Sequence, residues 1–190
     1  MKNVLITGGA GFIAHHLISY LLKNTDWNIV SLDRLDYSGN LNRLDNILSD
    51  LSNEQKSRVK IVYHDLKSEI NPWLKKELGS VDIILHLAAG SHVDRSIDYP
   101  MEFVLDNVVG TANILEYARQ IDESKKLERF VYFSTDEVFG PAPFGVDYEE
   151  FRLDFRYGGE LTDDMYYHIA GFARGGEGPR ASEVLGKRRR

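Results

Sequence analysis

The chain contains no cysteine, which excludes disulfides and thiolate metal sites. It has no basic N-terminal stretch leading into a cleavable apolar segment, and glycines interrupt its first apolar run. No apolar run approaches the length that spans a bilayer. Positive charge is in deficit, with 23 Lys and Arg against 29 Asp and Glu and a formal net charge of −6. That balance argues against nucleic acid as a partner. The six histidines are scattered without metal-ligand spacing. His15 and His16 are adjacent, so on a helix they diverge by about 100° and cannot share an ion. These absences set the expectation of a soluble cytoplasmic protein with no metal, membrane or nucleic-acid partner. Its 190 residues suffice for one domain with a substantial core.

What is present begins at the N-terminus. The apolar run Asn3-Val4-Leu5-Ile6-Thr7 enters Gly8-Gly9-Ala10-Gly11 and leaves as the amphipathic stretch from Phe12. A strand, a glycine turn and a helix in that order can receive a pyrophosphate. Gly8 allows the tight turn, Gly11 has no Cβ to block the phosphates, and Ala14 is small enough for close helix–strand packing. The helix N-terminus then offers N–H groups and partial positive charge. The next apolar run, Asn28–Leu32, ends in Asp33, about 20 residues past the glycines, where an acid accepts ribose hydroxyls. An acid there repels a 2′-phosphate and favours NAD over NADP; Arg34, beside it, can pair with that phosphate, so the sequence leaves both in play. A glycine turn followed by an Asp that merely caps a loop is the alternative.

Short apolar runs alternate with helical patterns, which predicts a doubly wound, Rossmann-type α/β fold around a parallel sheet. Further strands are expected at 59–63, 81–87 and 130–134. Helices are expected at 12–23 (burying Phe12, Ile13, Leu17, Tyr20 and Leu21), 41–51, 72–78 and 101–121. Pro72 suits a first helical turn, where its missing N–H does no harm. Ligands in such sheets sit beyond the carboxyl ends of the strands, which aligns Gly8, Asp33, Asp65, Ala88 and Thr135 along one edge. From about Phe151 the composition shifts toward glycine and arginine, without a strand-like run and with only a short helical pattern near 163–172. The reading is an NAD-binding domain over 1–150 and an atypical tail over 151–190.

Three segments resemble the extended short-chain dehydrogenase/reductase superfamily, and within it the nucleotide-sugar 4,6-dehydratases, above all the dTDP-glucose family. These are Thr7–Ile13, Leu87–Ile97 and Ser134-Thr135-Asp136-Glu137-Val138-Phe139-Gly140. The last is the specific one, because sugar epimerases and decarboxylases of the superfamily lack the adjacent acids. Gly90 and Phe139 stand where relatives often carry Glu and Tyr. The resemblance implies NAD as cofactor and a dTDP-glucose-type substrate. Phe12 and Ile13 would meet the pyrophosphate through their backbone. Asp33, Arg34, Leu35 and Asp36 would surround the adenosine ribose, with Asp65 and Leu66 at the adenine. Leu87, Ala88, Ala89 and Ser91 would line the nicotinamide side, and Ser91 with Thr135 would face the sugar. Asp106 replaces a Thr that relatives place against the cofactor. A homodimer through the 101–121 helix is also implied.

The paired acids suit the chemistry. Oxidation at C4 of a hexose makes the C5 proton α to a carbonyl; a base removes it while an acid assists loss of the C6 hydroxyl, and the cofactor is regenerated within the turnover. By resemblance Asp136 is the acid and Glu137 the base, whereas two acids after a strand can also cap the next element. The family further uses a Tyr-x-x-x-Lys pair on one helix face. Tyr63 and Lys67 have that spacing but lie at a strand end, and Tyr148, Tyr157, Tyr166 and Tyr167 lack the lysine. The expectation is therefore a dehydratase by descent, truncated or impaired. A non-catalytic NAD-binding module and another nucleotide-sugar epimerase or decarboxylase are the alternatives.

Overall fold

The computed structural model describes residues 1–36, 39–123 and 127–134. The catalytic candidates Thr135, Asp136 and Glu137, the 151–190 segment and the helix expected near 163–172 lie outside them. The first of two chain units, Met1–Val131, contains the site.

Five strands form one sheet: β1 (Asn3–Thr7), β2 (Asn28–Asp33), β3 (Val59–Tyr63), β4 (Ile83–His86) and β5 (Arg129–Tyr132). Their spatial order is β3-β2-β1-β4-β5. β1 runs parallel to both β2 and β4, with Thr7 opposite Leu32 on one side and His86 on the other. The chain thus winds outward from β1 in one direction, then restarts at β4 on its other flank. That reversal opens a crevice at the carboxyl ends of β1 and β4.

Alternate side chains of β1 feed two cores. Val4 and Ile6 pack with Ala14, Ile18 and Leu22 of α1 (Phe12–Asn24) and Leu44 of α2 (Leu41–Ser49). Leu5 joins Ile84, the Leu74 and Leu78 side chains of α4 (Pro72–Leu78), and Ile114 and Tyr117 of the later helix. A strand buried on both faces is apolar at successive positions, as Val4, Leu5 and Ile6 are here. Each such buried side chain contributes about 1.5–3 kcal/mol. Pro72 occupies the first helical turn as expected, and the Asn71 side chain caps it by accepting from the Leu74 amide. Among the described residues no helix is long and apolar enough to cross a membrane.

Three expectations need correction. First, α1 buries Ala14, His15, Ile18, Leu21 and Leu22, whereas Phe12, Ile13 and Tyr20 are exposed. The core stripe starts at the small Ala14, which lies close to the sheet, and this turns the bulky first-turn residues outward. Second, the helix expected at 101–121 runs without interruption from 100 to 123 but is not uniformly α: α6 (Pro100–Val104) passes through a π-helical turn (Leu105–Val109) into α7 (Gly110–Glu123), and a separate short helix, α5 (Val93–Asp98), precedes it. Third, the His15 and His16 rings do not diverge; their centroids lie 4.0 Å apart, because side-chain torsions bring the rings together although the Cβ atoms diverge. A further short helix, α3 (Asn53–Ser57), was unforeseen, although Ser52 and Gln55 spell its capping box: each side chain accepts from the other's backbone N–H.

Candidate functional site at the carboxyl edge of the sheet

Gly8 sits at the crevice with φ +70°, and a Cβ there would lie 2.9 Å from the Ala88 Cα. Its N–H donates to the Leu32 carbonyl (2.8 Å), and its carbonyl accepts from the Gly11 N–H (2.9 Å). The loop is therefore fixed between β2 and the segment after β4. Gly11 is the N-cap of α1, with no side-chain cap and no acid in the first turn. The first-turn amides and the positive end of the helix dipole are thus left to an external anion.

Asp33 closes the neighbouring wall. It is 9% exposed, and its carboxylate accepts from the Ala10 N–H (2.9 Å) and the Leu35 N–H (2.8 Å). One side chain thus fixes the glycine loop and its own turn while retaining lone pairs for a further donor. Leu35 takes a left-handed backbone, φ 56°, uncommon for a non-glycine. Its side chain packs against the core rather than toward the cleft.

A single cleft gathers Gly8, Gly11, Asp33, Arg34 and Asp36 with Asp65 and Leu66 beyond β3 and Leu87, Ala88 and Ala89 beyond β4. Phe12, Ile13, Leu35 and Ser91 do not line it. Phe12 and Ile13 present exposed side chains beside the open amides, and Ser91 is exposed before α5. A pyrophosphate at the α1 amides and a ribose at Asp33 fit this donor and acceptor set.

Several positioning residues escaped the sequence. Thr7 Oγ accepts from the Leu87 and Ala88 amides (3.2 and 3.1 Å) and lies 2.7 Å from His86 Nδ1. With both lone pairs engaged, the Thr7 hydroxyl donates to Nδ1, so the imidazole proton sits on Nε2 and points at Thr111 Oγ, 3.1 Å away. Burial holds His86 neutral and lowers its pKa to about 4. Asn107 clasps Gly90 at both backbone groups: its Oδ1 accepts from the N–H (2.7 Å) and its Nδ2 donates to the carbonyl (3.0 Å). Asn113 Nδ2 donates to the Leu66 carbonyl (2.7 Å). Polar residues within the apolar runs of β1 and β4 were the available signal for Thr7 and His86.

The Asp106 departure also finds its partner. Its carboxylate accepts from Arg34 Nη1 (2.5 Å) and Nη2 (2.8 Å), while Arg34 Nε donates to Asp36 (2.7 Å). The guanidinium's hydrogen bonds to Asp106, and then to Asp36, raise the Arg34 pKa above its usual range.

The model of the GDP-mannose 4,6 dehydratase family matches residues 5–154. Over 146 residues the chain is 41% identical to dTDP-glucose 4,6-dehydratase of Salmonella typhimurium, covering 74% of this chain and 39% of that protein. The chain therefore spans well under half the length of that relative. Among solved structures, a dTDP-glucose 4,6-dehydratase of Streptomyces venezuelae with NAD bound superposes with a TM-score of 0.64 at 36% identity, covering 76% of this chain and 42% of that one. UDP-glucose 4-epimerase of Bifidobacterium longum, with NAD⁺ and UDP, gives 0.59 at 26%, covering 73% and 38%. The matched segment carries the glycine loop, the acid of β2 and the crevice between β1 and β4, and by it the chain belongs to the GDP-mannose 4,6 dehydratase family, alongside the dTDP-glucose 4,6-dehydratases.

Proposed function

We propose that residues 1–150 are the NAD-binding domain of a nucleotide-sugar 4,6-dehydratase, a lyase acting on a dTDP-glucose-type substrate. The observation that carries the reading is the Gly8 turn, seated against Ala88 at the order reversal of the sheet, with Asp33 in the adjoining wall. The α1 amides at Phe12 and Ile13 take the pyrophosphate, Asp33 the adenosine ribose, and Asp65 and Leu66 the adenine. Leu87, Ala88, Ala89 and Ser91 belong to the nicotinamide end. When bound, NAD supplies reversible two-electron oxidation of a sugar alcohol.

Thr135, Asp136 and Glu137 lie three to five positions past Tyr132, the carboxyl end of β5, in sequence. In this reading Thr135 and Ser91 face the sugar, Asp136 protonates the departing C6 hydroxyl and Glu137 takes the C5 proton. The adjacent acids favour dehydration over the epimerase and decarboxylase alternatives. A homodimer is part of the proposal, supported by the exposed Ile97, Met101, Val104, Leu105, Val108 and Leu115 along α5–α7.

One observation favours a second reading, a binding module without turnover: no Tyr-x-x-x-Lys pair follows the two acids within these 190 residues. The test is a calorimetric NAD titration of the purified chain, followed by a search for 4-keto-6-deoxy product. NAD should bind, and Asp33→Ala should weaken it at least tenfold. Glu137→Gln should leave binding intact and abolish whatever turnover is present. Absence of NAD binding by the folded chain overturns the proposal. Turnover unaffected by Glu137→Gln overturns the role of the acids.

A further inference from the structure

Arg34 follows the β2 acid directly, a position from which a guanidinium can grip a 2′-phosphate in a bidentate fork. The structure shows that fork already engaged. Nη1 and Nη2 are both spent on Asp106, and Nε is spent on Asp36. The pair is sheltered, with Arg34 27% and Asp106 12% exposed at the side chain, which limits screening by solvent. Asp65 Oδ1 stands 3.9 Å from Nη1 on a further side. The other cation of this rim, Lys67, lies 3.3 Å from Asp65 and 3.8 Å from Asp106.

We propose that Asp106 is a cofactor-specificity residue: by holding Arg34 it removes the guanidinium from the 2′ position and makes the chain reject NADP. The inference rests on the reading of this cleft as a dinucleotide site. Among the described residues Asp33, Asp36, Asp65 and Asp106 line the cleft with only Arg34 and Lys67 to balance them. A 2′-phosphate, which brings a further charge of about −1.5 to −2, would meet a net negative rim whose nearest cation has its donors turned away. NAD, with a hydroxyl at that position, meets no such repulsion and can donate to Asp33. Asp106 lies on the π-helical turn and meets Arg34 from 72 positions along the chain.

The test compares affinities for NAD and NADP by calorimetry on the full chain, so that each variant is read as a ratio. The parent chain should prefer NAD at least about 100-fold. Asp106→Asn, close in shape but uncharged, should narrow that preference at least tenfold by freeing the fork. Adding Arg34→Leu to Asp106→Asn should restore the preference. Asp106→Thr, which also removes the carboxylate, should narrow the preference in the same way and decides the matter if Asp106→Asn does not fold. An unchanged ratio in a folded Asp106→Asn or Asp106→Thr, or a narrowed ratio that survives the addition of Arg34→Leu, overturns the proposal while leaving the NAD site standing. A folded parent chain that binds neither nucleotide removes the site reading and this inference with it.

Discussion

Two glycines with nearly equal φ separate the effect of backbone conformation from that of crowding. Gly8 has φ +70° and Gly79, which closes α4, has φ +73°. A Cβ on Gly79 meets nothing within 4 Å, whereas one on Gly8 falls 2.9 Å from Ala88 Cα and 3.0 Å from its N. Both neighbours are backbone atoms, and the Ala88 amide is tied to Thr7, so neither can rotate aside. Gly79→Ala should therefore cost only its conformational penalty, about 1–2 kcal/mol. Gly8→Ala should add an overpacking penalty of about 1–3 kcal/mol, giving a total of about 2–5 kcal/mol. Urea unfolding of the three proteins, with the slope checked for constancy, measures the difference. NAD titration supplies the second readout, since displacing Ala88 disturbs the cleft wall while Gly79 lies at the opposite end of the strands. Equal losses of stability for the two variants would refute the close approach of β1 and the β4 loop on which the site depends.

Other outcomes follow from the same geometry. His86 is held neutral by burial, with a folded pKa of about 4 against 6.5. The unfolded chain therefore binds the proton more readily, and stability should be full above pH 6.5 and fall as the pH drops from there toward 4. The loss is on the order of 3 kcal/mol, and urea melts at pH 7.5 and 4.5 with a His86→Gln control will show it. Asn107→Ala removes both clasps on Gly90 and should cost about 1–3 kcal/mol, with the Gly90 amide losing hydrogen-exchange protection ahead of β1. Arg58 donates to the carbonyls of Leu22, Thr25 and Trp27 at the end of α1. Arg58→Met should lower stability by about 2–3 kcal/mol without altering NAD affinity, as thermal melts and titration will report.

The strands were legible because a sheet buried on both faces strongly favours apolar residues: Val4–Ile6 and Ile83–Leu85 are apolar throughout, and Ile29–Leu32 is broken only by the buried Ser31. The alignment of Gly8, Asp33, Asp65 and Ala88 followed from parallel winding alone, and the structure brings all four to one cleft. The inward face of α1 differs from the one its bulky residues suggest. Phe12 and Ile13 look like core, yet the helix lies close to the sheet through Ala14. The π-helical turn within the long helix left little local signal, since neither proline nor glycine lies inside Leu105–Val109 and only Gly110 follows it. Asp106 could not be explained from its neighbours in sequence, because its partner is brought to it only by folding.

The π-helical turn has a consequence for how the crevice can move. Consecutive residues of that turn grip opposite lips, Asp106 through Arg34 and Asn107 through Gly90, while Asn113, two turns on, holds the β3 loop at Leu66. Three loops from three strands are moored to a single rod. A shift of that rod would pull on all three sides of the mouth at once.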